Sequence, residues 1–562
     1  MSPAENTVRP VDAIADAYVE DYCALDPVSA TYLGVPGHED RLTDYSPDGF
    51  AARDRLTRDA LAKARAATPT DEAEQVARDA FIERLSLDVE LHDALVPQSQ
   101  ISVVSSPLYD MRSVLDLMDT SDDAAWENID ARLAAFPAAL DGYRATLLDA
   151  ADRGRVAAQR QLAEQVRSWT GQVGSSGNFF LSFVEGSGRE GALRDRLEQH
   201  AREASDAVAE FGRFLTDELA PRGRPVEACG EELYSLGSRH FLGTTIDLRE
   251  TYDWGWQELA RIEDEMARVA DKIVPGGSVD DAVAALDADP ARTIQGKEAF
   301  AAWMQELADR TIAEMADVHF DIPEPVRRIE CRIAPTSDGG IYYTGPSEDF
   351  SRPGRMWWAV PDTQTEFSTW REVTTVFHEG VPGHHLQVAQ TAYRHETLNR
   401  WQRLMCWVSG HGEGWALYAE RLMDDLGHLD DPGDKLGMLD AQAFRAARVI
   451  IDIGMHLQLG IPRDNPFGFH PGETWDRELG TQFLREHTRM EGELIRFEIN
   501  RYLGWPGQAP SYKVGERIWL QARDDAKARL GDRFDLKAFH RAALDLGSIG
   551  LDPLRAALAR IQ

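Results

Sequence analysis

The stretch HEGVPGHH, residues 378–385, places three histidines and a glutamate within eight positions. Such a set can hold a divalent metal and supply a proton acceptor beside it. In the metal-binding pattern H-E-x-x-H the histidines stand four apart, one helical turn, so both rings reach one ion. Here position 382 is proline, and the later histidines come at 384 and 385. Six residues turn a helix by about 600°, and seven displace a side chain by about 10.5 Å along the axis, so neither spacing works on an uninterrupted helix. Pro382 forbids such a helix, because it lacks an N–H and its ring clashes with the carbonyl of His378. Gly380 and Gly383 add backbone freedom. The chain must therefore bend after Glu379. A Pro-Gly insertion of this kind can return His384, or alternatively His385, to a metal held by His378, with Glu379 as the base. The plainer reading is a helix that ends at Glu379, with the later histidines capping it.

Two histidines on zinc call for one more protein ligand, often a carboxylate, leaving a fourth position for water. The segment SGHGEGWALYAERLMDDLG, residues 409–427, offers one. Its EGWALYAERL core reads as a helix, with Glu413 near the start and Glu420 seven residues on, along the same face. Glu413 is the ligand of choice, and Glu420 suits an outer role, orienting a histidine. His411 is either a substitute ligand or a loop residue. Next, FRAARVIIDIGMHLQLG, residues 444–460, carries Arg445, Arg448, Asp452 and His456 at helical spacing on an otherwise apolar helix. That stripe either lines a wet cleft or is an ordinary solvated face. Finally, RYLGWPGQAPSYKVG, residues 501–515, presents Tyr502, Gln508 and Tyr512 around a Pro/Gly-rich turn. It is either a plain helix connection or a loop offering hydroxyl and amide groups to substrate.

These residues need a scaffold. Most of the first 330 positions read as helix, as in DEAEQVARDAFIERLSLDVELHDAL (71–95) and AAQRQLAEQVRSWTGQV (157–173). GSSGNFFLSFVEGSGREG (174–191) and VPGGSVDD (274–281) read as loops. Between 327 and 361 the runs RRIECRIAP, GGIYYTG and RMWWAVP suggest a small three-stranded antiparallel sheet just ahead of the histidines. An edge strand there could hold an extended peptide. The texture divides the chain into a helical region, 1–326, and a region with the sheet and metal-binding helices, 327–562, both contributing to one clefted fold.

The chain has 562 residues, 43% of them hydrophobic, enough for a sizeable core. With 60 Lys+Arg against 95 Asp+Glu the net charge is −35. That disfavours nucleic acid and anionic membrane surfaces as partners. The four cysteines are scattered, and the first residues lack a charged start followed by an apolar core. A cytoplasmic protein without membrane spans is expected. The sequence leaves the oligomeric state open, and a homodimer is compatible with it.

HEGVPGHHLQ (378–387), EGWALYAERL (413–422), RAARVIIDIGMH (445–456), RYLGWPGQAPSYKVG (501–515) and SRPGRMWW (351–358) together resemble a large bacterial family of helical proteins, DUF885. That family in turn is similar to zinc metallopeptidases with a helical, clefted fold of the M32 carboxypeptidase type. The resemblance implies a mainly α fold with a deep central cleft. It implies one Zn2+ at His378, His384 and Glu413, with Glu379 as general base. On this reading Tyr512, then Tyr502 or Tyr343, or His456, stabilises an oxyanion. Arg352, Arg445 or Arg448 holds a substrate carboxylate. Gln508 would line the substrate site, and Glu420, Asp452, His385 and His411 would surround the first ligands. The expected reaction is hydrolysis of peptide bonds, as a carboxypeptidase or short-peptide peptidase. A hydrolase of non-peptide amides and a silent helical binding protein are the alternatives.

Overall fold

The computed structural model describes residues 9–102, 104–170, 179–334 and 340–561. The chain forms two compact units, Met1–Thr70 with Phe81–Glu232 and Phe497–Pro506, and Asp71–Ala80 with Leu233–Arg496 and Gly507–Gln562. The change of texture at 327 falls inside the second unit. Both units are mainly helical. Among the described residues no helix is long and apolar enough to cross a membrane.

The first unit is built on two long helices, α1 (Asp123–Asp152) and α2 (Gly191–Phe214), which pack on each other. Their facing stripes place Phe136, Tyr143 and Phe211 in one aromatic core, where Tyr143 and Phe211 stack at 5.3 Å between ring centroids. Residues 179–185 of the expected Gly/Ser-rich loop are helical, because Phe180 and Val184 bury on that core. The loop's residues 174–178 lie outside the described residues, as do 171–173 of the helix expected over 157–173.

The second unit carries the motifs. Helices α3 (Leu248–Ile273) and α4 (Pro432–Leu457) pack along their length, and Gly255 lets them approach where it meets Val449 and Ile450. Three strands, β1 (Ile329–Ile333), β2 (Ile341–Thr344) and β3 (Gly354–Trp358), make a sheet in the order β1-β3-β2. The expected antiparallel sheet is in fact mixed: β2 and β3 are antiparallel, but β1 runs parallel to β3. The cause is that β3, whose Gly354, Met356 and Trp358 are buried, inserts between the other two. A second, two-stranded ribbon went unpredicted. Thr293–Gln295 pairs with Glu366–Ser368, and Phe367 stacks on Phe300 at 4.2 Å. This ribbon runs straight into helix α5 (Thr369–Glu379), the helix that ends on the H-E pair. Its start is pinned where Trp370 donates its indole N–H to Asp287 and Thr369 its hydroxyl to the Arg292 carbonyl.

Candidate metal centre

Helix α5 stops at Glu379, and after four intervening residues a new helix, α6 (His384–Tyr393), starts. The turn between them holds the cis Val381–Pro382 bond. Gly380 donates back to Val376 at 2.9 Å and Gly383 to Phe377 at 3.0 Å, so the chain folds over the end of α5 instead of extending it. Position 383 must be glycine, since a Cβ there would lie 1.9 Å from the His378 carbonyl oxygen. The indole N–H of Trp415 clamps the turn by donating to the Pro382 carbonyl at 2.8 Å.

The bend does what the histidine spacing required. The imidazoles of His378 and His384 meet edge to face, with ring centroids 4.8 Å apart. Glu413 reaches them from the first turns of helix α7 (Ser409–Asp425). Its Oε2 lies 3.4 Å from His378 Nε2 and 3.3 Å from His384 Nε2. A tetrahedral zinc with ligands at about 2.0–2.1 Å has ligand-to-ligand edges of about 3.3 Å, so these separations fit one ion between the three atoms. The ligand atoms of all three residues lie within 4.8 Å of one another. Despite the short distances, Glu413 Oε2 makes no hydrogen bond to a described residue. The two nitrogens and this oxygen bound a common point within reach of all three. A cation at that point would add a direct partner to a buried carboxylate oxygen that otherwise faces only the two imidazoles.

His378 is also oriented from behind. Its Nδ1 donates to Glu420 Oε1 at 2.7 Å, and the Thr374 hydroxyl donates to Glu420 Oε2 at 2.9 Å. This fixes the tautomer that frees Nε2 for a metal. Without an ion, burial opposes charge on His378, but the Glu413 and Glu420 carboxylates outweigh it and lift its pKa to about 10. Burial acts to raise Glu413 and Glu420, yet the neighbouring histidines hold both below the usual carboxylate range. Glu379 behaves oppositely. Burial pushes its pKa up, against the opposing charges of His384, His378 and Arg445, and its Oε2 has no hydrogen-bond partner among the described residues. His384 lacks an acceptor at Nδ1 among those residues, so only one of the two histidines has a carboxylate behind it.

The choice between His384 and His385 is decided by His385's own bonds. Its Nε2 donates to the Val326 carbonyl at 2.7 Å, and its Nδ1 accepts from the Tyr343 hydroxyl at 2.8 Å. Both ring nitrogens are spent away from the triad, and burial holds the ring's pKa down at about 4.

The model of a bacterial protein family of unknown function, DUF885, matches residues 27–558. The chain belongs to the DUF885 family. No match was found among curated proteins. Two solved structures share the fold of this DUF885 chain. One, described as a "putative lipoprotein" from Colwellia psychrerythraea, is 22% identical, with a TM-score of 0.81 over 98% of both chains. The other, described as a "putative lipoprotein of unknown function" from Shewanella oneidensis, is 18% identical, with a TM-score of 0.75 over 97% of this chain and 99% of that one.

The remaining expected residues fall into three groups. Arg445, on α4, stands near enough for its charge to act on Glu379 and Glu420, and its Nε has no partner among the described residues. Tyr343 lies within electrostatic reach of Glu379, but its hydroxyl proton points to His385. Arg352 donates to the Gly345 carbonyl at 2.8 Å and acts on Tyr343. Arg445 and Tyr343 thus border the centre, and Arg352 stands behind Tyr343.

The second group is held elsewhere. Asp452 and His456 are fully buried and pair at 3.8 Å, so their part of the stripe is not a solvated face. Asp452 accepts from the Tyr234 hydroxyl at 2.7 Å and from the Gly507 N–H at 3.0 Å, which ties α4 to the helix Glu231–Leu242 and to the turn at Gly507. His411 is neither ligand nor loop residue. It sits buried in the first turn of α7, with Nδ1 on the Ile549 carbonyl at 2.9 Å.

The third group consists of packing residues. The Arg448 guanidinium lies over the rings of Phe444 and Tyr512, at 3.9 and 4.8 Å from their centroids. Gln508 is buried. Tyr502 belongs to the first unit, where its hydroxyl donates to Glu498 at 2.6 Å. Sequence reasoning missed Thr374, although it stands one turn before His378 on the same face of α5.

Proposed function

We propose that this chain is a zinc-dependent hydrolase of peptide bonds, acting on short peptides or as a carboxypeptidase. The observation that carries the reading is the convergence of His378 Nε2, His384 Nε2 and Glu413 Oε2 at tetrahedral-edge distances, with Glu379 alongside. A structural zinc would not need that neighbouring glutamate, whose unpartnered Oε2 suits a general base. Zinc, when bound, supplies Lewis acidity toward a carbonyl and lowers the pKa of water toward about 7. Glu379 takes a proton from the attacking water at Oε2 and returns it to the leaving nitrogen, so that the hydroxyl ends on the carbonyl carbon and the proton on the amine. Glu420 holds His378 in its metal-facing tautomer. Arg445, with an unmatched Nε beside Glu379, receives the substrate carboxylate, which favours short peptides or a free C-terminus.

The reading requires an access cleft of the M32 carboxypeptidase kind. The chain's four cysteines are thiols, three of them buried, which fits a reducing compartment, and we place the protein in the cytoplasm. The test is turnover of a panel of short peptides and of N-acyl amides by zinc-loaded and chelated protein. Metal-dependent cleavage of peptides is expected, with loss of about 10²-fold or more in Glu379→Gln at unchanged zinc content. Cleavage of only the non-peptide amides would favour that alternative, and equal activity of Glu379→Gln would remove the base assignment.

A further inference from the structure

Trp407 is one of few large apolar side chains left open, at 49% exposure. It is not a stray surface residue. Its ring centroid lies 6.0 Å from that of His384. The six-membered part of the indole rests on Gly412, where an added Cβ would come within 2.4 Å of it. Gly412 directly precedes the ligand Glu413. The backbone on either side is tied down, since the Cys406 thiol donates to the Ser548 carbonyl at 3.3 Å and the Val408 N–H to the Ser548 hydroxyl at 3.4 Å. The indole is thus seated against two ligand-bearing segments, with its remaining face open.

We propose that Trp407 is the specificity-determining wall beside the metal centre, taking an apolar or aromatic side chain of the substrate residue next to the scissile bond. This rests on the proposed peptide hydrolysis. Every other group placed at the centre is charged or polar: Glu379, Glu413, Glu420 and Arg445, with Tyr343 capped by His385. Trp407 offers an exposed apolar surface within reach of a ligand histidine. A rigid aromatic plane loses little conformational entropy on contact, and apolar contact of this size discriminates by about 10-fold or more between substrates.

Two measurements decide it. The first is the fluorescence of Co2+-titrated protein, taken as the difference between parent and Trp407→Phe. A ring so near His384 is expected to be quenched by the bound ion, and a difference signal that ignores Co2+ overturns the placement. The second is calorimetric binding of paired peptides, differing by glycine or phenylalanine at the residues flanking the central bond, to zinc-loaded Glu379→Gln. The phenylalanine peptide is expected to bind about 10-fold or more tightly, with the preference falling below about threefold in Trp407→Ala and returning in Trp407→Phe. No preference, no binding of either peptide, or a preference unchanged in Trp407→Ala overturns the inference. Because Glu379→Gln is used, this outcome does not depend on turnover. Absence of cleavage by the parent would instead count against the hydrolase reading.

Discussion

The two histidines of the centre look alike in sequence but are supported differently. His378 has Glu420 behind its Nδ1 at 2.7 Å, while His384 has no acceptor there among the described residues. Outer carboxylates of this kind fix the tautomer and raise ligand basicity. Glu420→Gln is therefore expected to weaken zinc binding by about 10–100-fold without unfolding the protein, as read by competition with a chromogenic chelator. Unchanged affinity would mean that Glu420 serves packing alone. His384→Ala should abolish tight zinc binding, whereas His385→Ala should keep the ion and lose stability. In the latter the Val326 carbonyl and the Tyr343 hydroxyl lose their partner, which costs about 1–3 kcal/mol in denaturant unfolding. The reverse pattern would reinstate His385 as the ligand.

At the scale of elements, the centre depends on a helix that must stop. Pro382 and the two flanking glycines made that legible in the sequence, because no regular helix accepts them. The helices around 413–422 and 444–457 were legible too, the second from polar residues recurring at three and four along an otherwise apolar run. Other features were not. Residues 179–185 look like a loop by composition, and burial of Phe180 and Val184 overrides that. The parallel pairing of β1 with β3 depends on which strand inserts in the middle, which short runs of residues do not encode. Nor does spacing reveal that Tyr502 turns to Glu498, four residues before it in its own helix, or that Asp452 is claimed by Tyr234 and Gly507. The bend itself is testable. Gly383→Ala puts a methyl 1.9 Å from the His378 carbonyl oxygen. It is expected to cost at least about 1–3 kcal/mol and to weaken zinc binding together with stability. Full retention of both would show that the turn tolerates a different path.

For the whole molecule, all three proposed ligands lie in the second unit, although they come from separate helices of the sequence. An ion that binds only the folded form stabilises it by about 2.7 kcal/mol at a hundredfold excess over Kd. Zinc is therefore expected to raise the unfolding midpoint and to slow hydrogen exchange in α5, α6 and α7, while α1 and α2 of the first unit change less. Equal protection everywhere would place the effect outside this centre. The net charge of −35 attracts divalent cations in general, so metal uptake alone is weak proof. Position is the stronger criterion. Anomalous diffraction at the zinc edge, from crystals grown with one equivalent of zinc, tests the central claim most directly. A single peak about 2.0–2.2 Å from His378 Nε2, His384 Nε2 and Glu413 Oε2 is predicted. A peak elsewhere on the acidic surface, or none between these three atoms, would contradict it.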